Sequence, residues 1–194
     1  MKKVMIQWGW REENMKLLIL SDIHGSAYYM GRMQQIEMQE KPDKIILLGD
    51  LYYHGPRNPI SLKYAPLEVA YMLNAYAEKM IAVKGNCDAE VDEKISNFPL
   101  QSYVEMEVDG LHIYCTHGHK YHKGKLPKKE FDVMLYGHLH TGFIEEENGK
   151  VFANPGSISL PRKEAKHSYL LYEDRTFTLQ EINGEVLAQY TIKK

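Results

Sequence analysis

The chain has 194 residues, 44% of them hydrophobic, with 24 basic and 26 acidic side chains and a formal net charge of -2. That length and apolar content suit one domain with a sizeable core and exclude a disordered segment or a disulfide-stapled miniprotein. The near balance of charge gives no global reason to expect nucleic acid or an anionic membrane as partner.

Only two cysteines occur, Cys87 and Cys115, too few for a disulfide framework or a four-sulfur zinc cluster. No apolar run approaches the roughly 20 residues that span a bilayer, and the N-terminus lacks the apolar core of a secretory signal. A cytoplasmic protein in a reducing compartment is the expectation.

Residues 1–14 carry Trp8-Gly9-Trp10 and Arg11-Glu12-Glu13 with neither strand alternation nor a helical stripe. They read as an N-terminal extension, either a start assigned upstream of Met15 or a disordered tail, and 15–194 as a single domain. Lys16 to Leu20 is a short apolar run that enters Ser21-Asp22-Ile23-His24-Gly25, the pattern of a buried strand running into a loop. Ser26 can cap a helix over Ala27 to Glu40, with Met30, Met33 and Ile36 on one face and Pro42 blocking continuation.

Asp43 to Leu48 supplies a second strand, which ends in Gly49-Asp50, and the next loop carries Gly55-Pro56-Arg57-Asn58-Pro59, strong turn and breaker chemistry. The spacing of Leu67, Ala70, Tyr71, Leu73 and Asn74 predicts a helix from Pro66 to Lys79, and Met80 to Val83 a third strand. Strands alternating with helices indicate βαβ units and a parallel sheet. From Ser102 the rhythm changes to hairpins: Tyr103–Val108 and Leu111–Cys115 flank Asp109-Gly110, and Phe143–Glu147 and Val151–Ala153 flank Asn148-Gly149. Asp132–Leu135 and the late segments Ser168–Tyr172, Thr176–Glu181 and Val186–Ile192 complete a β-rich second half. Two packed sheets with helices outside would bury both apolar faces.

The chemistry collects where predicted strands end. Asp22 and His24 follow the first strand, Asp50 the second, Asn86 the third, His117 the 111–115 strand, and His138 and His140 the 132–135 strand. Taken singly each is weak, because an aspartate after a strand is more often a turn residue and an isolated histidine a satisfied hydrogen-bonding group. Seven such side chains, each at a strand exit, are improbable by chance. Imidazole and carboxylate together suit zinc, manganese, iron or nickel better than calcium.

The ordered segments Asp22-Ile23-His24, Gly49-Asp50, Gly85-Asn86-Cys87-Asp88, Thr116-His117-Gly118-His119, Gly137-His138-Leu139-His140 and Asn154-Pro155-Gly156-Ser157 resemble those of the calcineurin-like metallophosphoesterases, and most nearly their small YfcE-like phosphodiesterase branch. The resemblance implies an α/β/β/α sandwich of two mixed β-sheets flanked by helices. It also implies one metal held by Asp22, His24, Asp50 and His140 and a second by Asp50, Asn86, His117 and His138, with Asp50 bridging. Two divalent ions, manganese first and zinc, iron, nickel or magnesium as alternatives, would then support hydrolysis of a small phosphate ester by a bridging hydroxide. Asp50, Asn86, Cys87 and His117 are the expected catalytic group.

Cys87 stands where most of the superfamily has a histidine thought to assist the leaving group. A thiol can donate a proton but lacks the reach and the cationic form of imidazole, so activity on good leaving groups, such as aryl phosphodiesters, is expected. His54, Arg57 and Asn58 on the loop beyond Asp50, and Arg162 beyond the Asn-Pro-Gly-Ser segment, are candidate substrate contacts. The basic stretch through Lys120, Lys123, Lys125, Lys128 and Lys129 reads as a solvated loop, not a nucleic-acid module. An edge strand or exposed helix could support a homo-oligomer. The competing reading is a non-catalytic metal-binding scaffold of the same fold, as in the retromer subunit.

Overall fold

The computed structural model of the protein describes residues 14–193; the N-terminal extension read from the sequence lies, apart from Asn14, outside them. Two mixed β-sheets pack face to face. In the first, β1 (Leu17–Leu20), β2 (Lys44–Leu47), β3 (Met80–Val83) and the two-residue β4 (Leu100–Gln101) run parallel. Beyond β1 the same sheet continues antiparallel through β10 (Ser168–Glu173), β11 (Thr176–Glu181) and β12 (Val186–Thr191). The second sheet has the order β5-β6-β7-β9-β8, from Val104–Val108, Leu111–Thr116, Val133–Tyr136, Lys150–Pro155 and Gly142–Glu147 respectively. Within it β6, β7 and β9 are parallel.

The strand period of two explains how one short run serves two cores. Leu18 and Leu20 of β1 and Ile45 and Leu47 of β2 face α1 (Ala27–Glu40) and α2 (Pro66–Asn74), while Leu17, Ile19 and Ile46 face the other sheet. Against the latter pack Ile113, Cys115, Val133, Leu135, Val151 and Ala153 of the second sheet, all buried. Among the described residues the outer face of that sheet carries an aromatic cluster, Tyr114, Phe131, Tyr136 and Phe152, and no helix. Segment 117–132 lies over it, with Lys123 paired to Glu145 and Glu147 and Lys129 to Glu105.

Three local readings differ from the sequence expectation. The helix from Pro66 stops at Asn74 and resumes as a 3-10 turn at Ala77–Lys79, because the Asn74 side chain binds Ile95 O and Asn97 N at 2.8 and 2.7 Å and so ties the helix end to a neighbouring segment. Its buried face is Val69, Ala70 and Leu73, whereas Leu67 and Tyr71 are exposed. A six-residue helix, α3 (Glu90–Ile95), and β4 lie between β3 and β5, where no element was expected.

Candidate metal centre

Every parallel strand of both sheets ends at the same edge of the sandwich, and the proposed ligands leave those ends. Asp22, His24, Asp50, His138 and His140 all have left-handed backbones, with φ of 56°, 48°, 56°, 67° and 57°. Such a conformation costs about 1 kcal/mol or more for a non-glycine residue. It turns the chain sharply, so that residues two apart, Asp22 with His24 and His138 with His140, reach one pocket. Crossed backbone bonds hold the turns: Asp22 N and His24 N donate to Gly49 O and Asp50 O at 3.0 and 2.9 Å.

Three of the imidazoles are oriented by backbone. His24 Nδ1 lies 2.8 Å from Tyr53 O, His117 Nδ1 2.6 Å from Leu48 O and His140 Nδ1 2.5 Å from Leu160 O. A carbonyl only accepts, so each Nδ1 carries a proton and each ring turns its Nε2 inward. His24 Nε2 and His140 Nε2 then face each other at 3.2 Å, and His140 Nε2 lies 3.2 Å from Asp22 Oδ1. Asp22 Oδ1 is buried with no hydrogen-bond donor. On the other side, His117 Nε2 lies 3.0 Å from Asn86 Oδ1 and 3.4 Å from Asp50 Oδ2. In two adjoining places, side chains of a metal-ligand type converge.

Charge tells the same story. Burial opposes ionisation of Asp22, yet His140 and His24 hold its carboxyl well below the usual range. Burial likewise opposes protonation of His117, but the Asp50 and Asp22 carboxylates push it up to about 9. The cluster calls for positive charge, which protons or divalent cations can supply. Asp22, His24 and His140 can close on one ion, and Asp22, Asp50 and His117 on another, with single ligand atoms of each set within 4.8 Å of one another. Asn86 touches the second set through His117, and the His138 ring stands edge-on to His117 at 5.1 Å between centroids. All seven ligands expected from the sequence are thus brought together, His138 the loosest.

A supporting layer was not legible as function. Asp88 is buried and accepts from Asp50 N at 2.8 Å, Gly85 N at 2.7 Å and Leu51 N at 2.8 Å, clamping the loops after β2 and β3. Cys87 N donates to Asp50 Oδ1 at 2.8 Å, which leaves Oδ2 for the cluster. A Cβ on Gly85 would sit 2.0 Å from Asp50 Oδ1, so only glycine allows that approach. Ser157 and Ser159 hydroxyls donate to Asp22 O at 2.7 and 2.9 Å. The Asn154-Pro155-Gly156-Ser157 motif is the one signal that could have found them.

Asp50, Asn86, His138 and His140 line one end of a cavity of about 320 Å³ that also meets Tyr53, Gly55, Pro56, Arg57, Asn58, Cys87 and Arg162. His54 does not line it, a correction to the sequence expectation: its ring packs edge-on to Tyr53 and Tyr64, with centroids at 4.7 and 5.2 Å. Burial, then the Asp50 and Asp88 carboxylates, push the Cys87 thiol up to about 12. It is a neutral thiol, ill suited to serve as nucleophile.

The profile of the calcineurin-like phosphoesterase superfamily domain matches residues 15–176. The chain belongs to that superfamily. The phosphodiesterase YfcE of Escherichia coli K12 is 37% identical over 182 residues, which cover 92% of this chain and 98% of that protein. The structure of the E. coli YfcE phosphoesterase superposes with a TM-score of 0.89 at 34% identity, covering 92% of this chain and all of that one. Vacuolar protein sorting 29 of Cryptosporidium parvum shares the fold alone, with a TM-score of 0.67 at 18% identity. Membership makes the chain a metal-dependent phosphoesterase and agrees with the two mixed sheets and flanking helices observed. No helix among the described residues is long and apolar enough to cross a membrane.

Proposed function

We propose that the protein is a two-metal phosphodiesterase acting on small phosphate esters, manganese being the first choice of ion. The observation that carries this reading is the convergence of Asp22, His24 and His140 on one point and of Asp22, Asp50 and His117 on an adjoining one, all buried, with His24 Nε2 3.2 Å from His140 Nε2 and His117 Nε2 3.0 Å from Asn86 Oδ1. Buried carboxylates gathered this closely call for positive charge, which a divalent cation can supply in place of protons. Asp22, His24, Asp50 and His140 would hold one ion, and Asp50, Asn86, His117 and His138 the other, with Asp50 shared. When bound, such ions polarise a phosphoryl group and bring the pKa of coordinated water near neutrality.

The protein's own groups do the rest. The three Nδ1-to-carbonyl bonds keep the rings from turning, so the ligand set is preorganised. Cys87 offers a neutral thiol to the leaving-group side, a weaker proton donor than imidazole, which favours esters with stable leaving groups such as aryl phosphodiesters. Zinc, iron, nickel or magnesium would meet the same nitrogen and oxygen donors.

The test is hydrolysis of bis(p-nitrophenyl) phosphate by protein stripped of metal and reloaded, with Asp50→Asn alongside. Metal titration should give two ions per chain in the wild type, fewer in the variant, and a rate lower by about 10³ or more. Full activity in Asp50→Asn would falsify the bridged-metal reading. Metal binding without hydrolysis of any aryl ester would favour the scaffold reading, for which the fold shared with vacuolar protein sorting 29 is the support.

A further inference from the structure

Four arginines lie among the described residues, and they divide cleanly. Arg32 binds Gln35 Oε1 at 2.7 Å and Ile182 O at 3.3 Å, and Arg175 binds Asp109 O at 2.6 Å and Ile192 O at 3.3 Å. Arg57 and Arg162 have no ion pair, hydrogen bond or ring contact from their guanidiniums among the described residues, and both line the metal-centre cavity. They approach it from opposite sheets. Arg57 follows Gly55, whose Cβ would meet Cys87 Sγ at 2.9 Å, so that loop lies directly over Cys87. Arg162 is fixed through its backbone, its N donating to His140 O at 3.0 Å. The cavity has no acidic lining residue except Asp50, which is committed to the metal ligands. Several surface cations elsewhere are paired with carboxylates, as in Lys16–Glu40, Lys84–Glu93 and Lys123–Glu145.

A phosphodiester carries one negative charge at the reacting centre, which the proposed ions would meet. Two further guanidiniums exceed that need, and a guanidinium favours planar anions with two oxygens, such as phosphate or carboxylate. We propose that Arg57 and Arg162 form a subsite for a second anionic group, so that the preferred substrate is a phosphodiester whose non-reacting portion bears a phosphate or carboxylate. This rests on the phosphodiesterase reading above and names its substrate class. Asn58, also on the lining, donates its amide to His54 O at 2.8 Å and so ties the loop that carries Arg57.

The test compares two esters that differ by one phosphate: thymidine 5′-(p-nitrophenyl phosphate) and its 3′-phosphorylated form. On metal-loaded wild type, the 3′-phosphate should raise kcat/KM by about tenfold or more, mainly through KM, the size of one charge-assisted contact. In Arg57→Gln/Arg162→Gln the ratio should collapse towards unity, while Arg57→Lys/Arg162→Lys keeps part of it. Calorimetry should find the same preference for thymidine 3′,5′-bisphosphate over the 5′-monophosphate, lost in the double glutamine variant. Equal rates on both esters in the wild type would overturn the subsite and leave the phosphodiesterase reading intact. A double variant that slows both esters equally would also overturn it, placing the guanidiniums on the scissile phosphate. If neither ester is hydrolysed, the phosphodiesterase reading falls, and the calorimetric preference alone decides the subsite.

Discussion

Asp88→Asn tests how the metal centre is held, because Asp88 touches no proposed ion yet grips both loops that carry ligands. Its two oxygens accept three backbone N–H groups at 2.7 to 2.8 Å in a buried site. Asparagine has one acceptor oxygen. Its best placement keeps Asp50 N and Gly85 N on that oxygen and sets its amide N–H₂ against Leu51 N, donor against donor. One charge-assisted bond is lost, one buried donor is orphaned, and two bonds become neutral. At about 1.5–3 kcal/mol for a bond to a charged group, less the relief of no longer burying a carboxylate, the net cost is about 2–4 kcal/mol. That leaves a domain of ordinary stability folded. The burial that raises the Asp88 pKa is the source of the relief. Freed of its anchor, Asp50 can relax from φ 56°, and metal affinity should fall by about 10–100-fold, the usual effect of removing a group that orients a ligand. Urea denaturation of the metal-free proteins reads the first quantity and calorimetric manganese titration the second. A change below about 0.5 kcal/mol together with unchanged metal affinity would refute the clamp.

Cys87→His should speed hydrolysis of alkyl phosphodiesters more than of bis(p-nitrophenyl) phosphate, by about 10²-fold if imidazole takes up general-acid work; equal effects on both, measured as kcat, would show that leaving-group protonation is not deficient. Gly85→Ala should cost about 1–3 kcal/mol by overpacking and abolish stoichiometric binding of the second ion, since the added Cβ falls 2.0 Å from Asp50 Oδ1; denaturant melts and metal analysis check both. In metal-free protein, His117 has its folded pKa raised from 6.5 to about 9 by the Asp50 and Asp22 carboxylates against burial. Its stabilisation is therefore complete below pH 6.5 and lost as pH rises through 9. Thermal melts should fall across that window with chelator present and fall less with manganese, which replaces the proton; a melting temperature that rises with pH under chelation would contradict the assignment.

The sequence by itself determined the fold class, most of the strands and the seven side chains that the fold gathers at one edge. Four-residue runs such as Leu17–Leu20 and Lys44–Leu47 are apolar on both faces because both faces are buried, and polar groups cluster where such runs end. These are local signals, carried by residue type and period. What the tertiary structure decided depends on contacts across the chain. Asn74 ended α2 by bonding residues 95–97, and α3 has no side-chain cap at Ala89 to announce it. His54, polar and next to the site in sequence, turned its ring towards Tyr64 and left the cavity to Arg57 and Arg162. Most of all, the orientation of three imidazoles at the site follows from carbonyls of Leu48, Tyr53 and Leu160, each distant in sequence from the histidine it orients. Backbone carbonyls are common to every residue and leave no mark in a sequence; only the fold decides which imidazole each one meets.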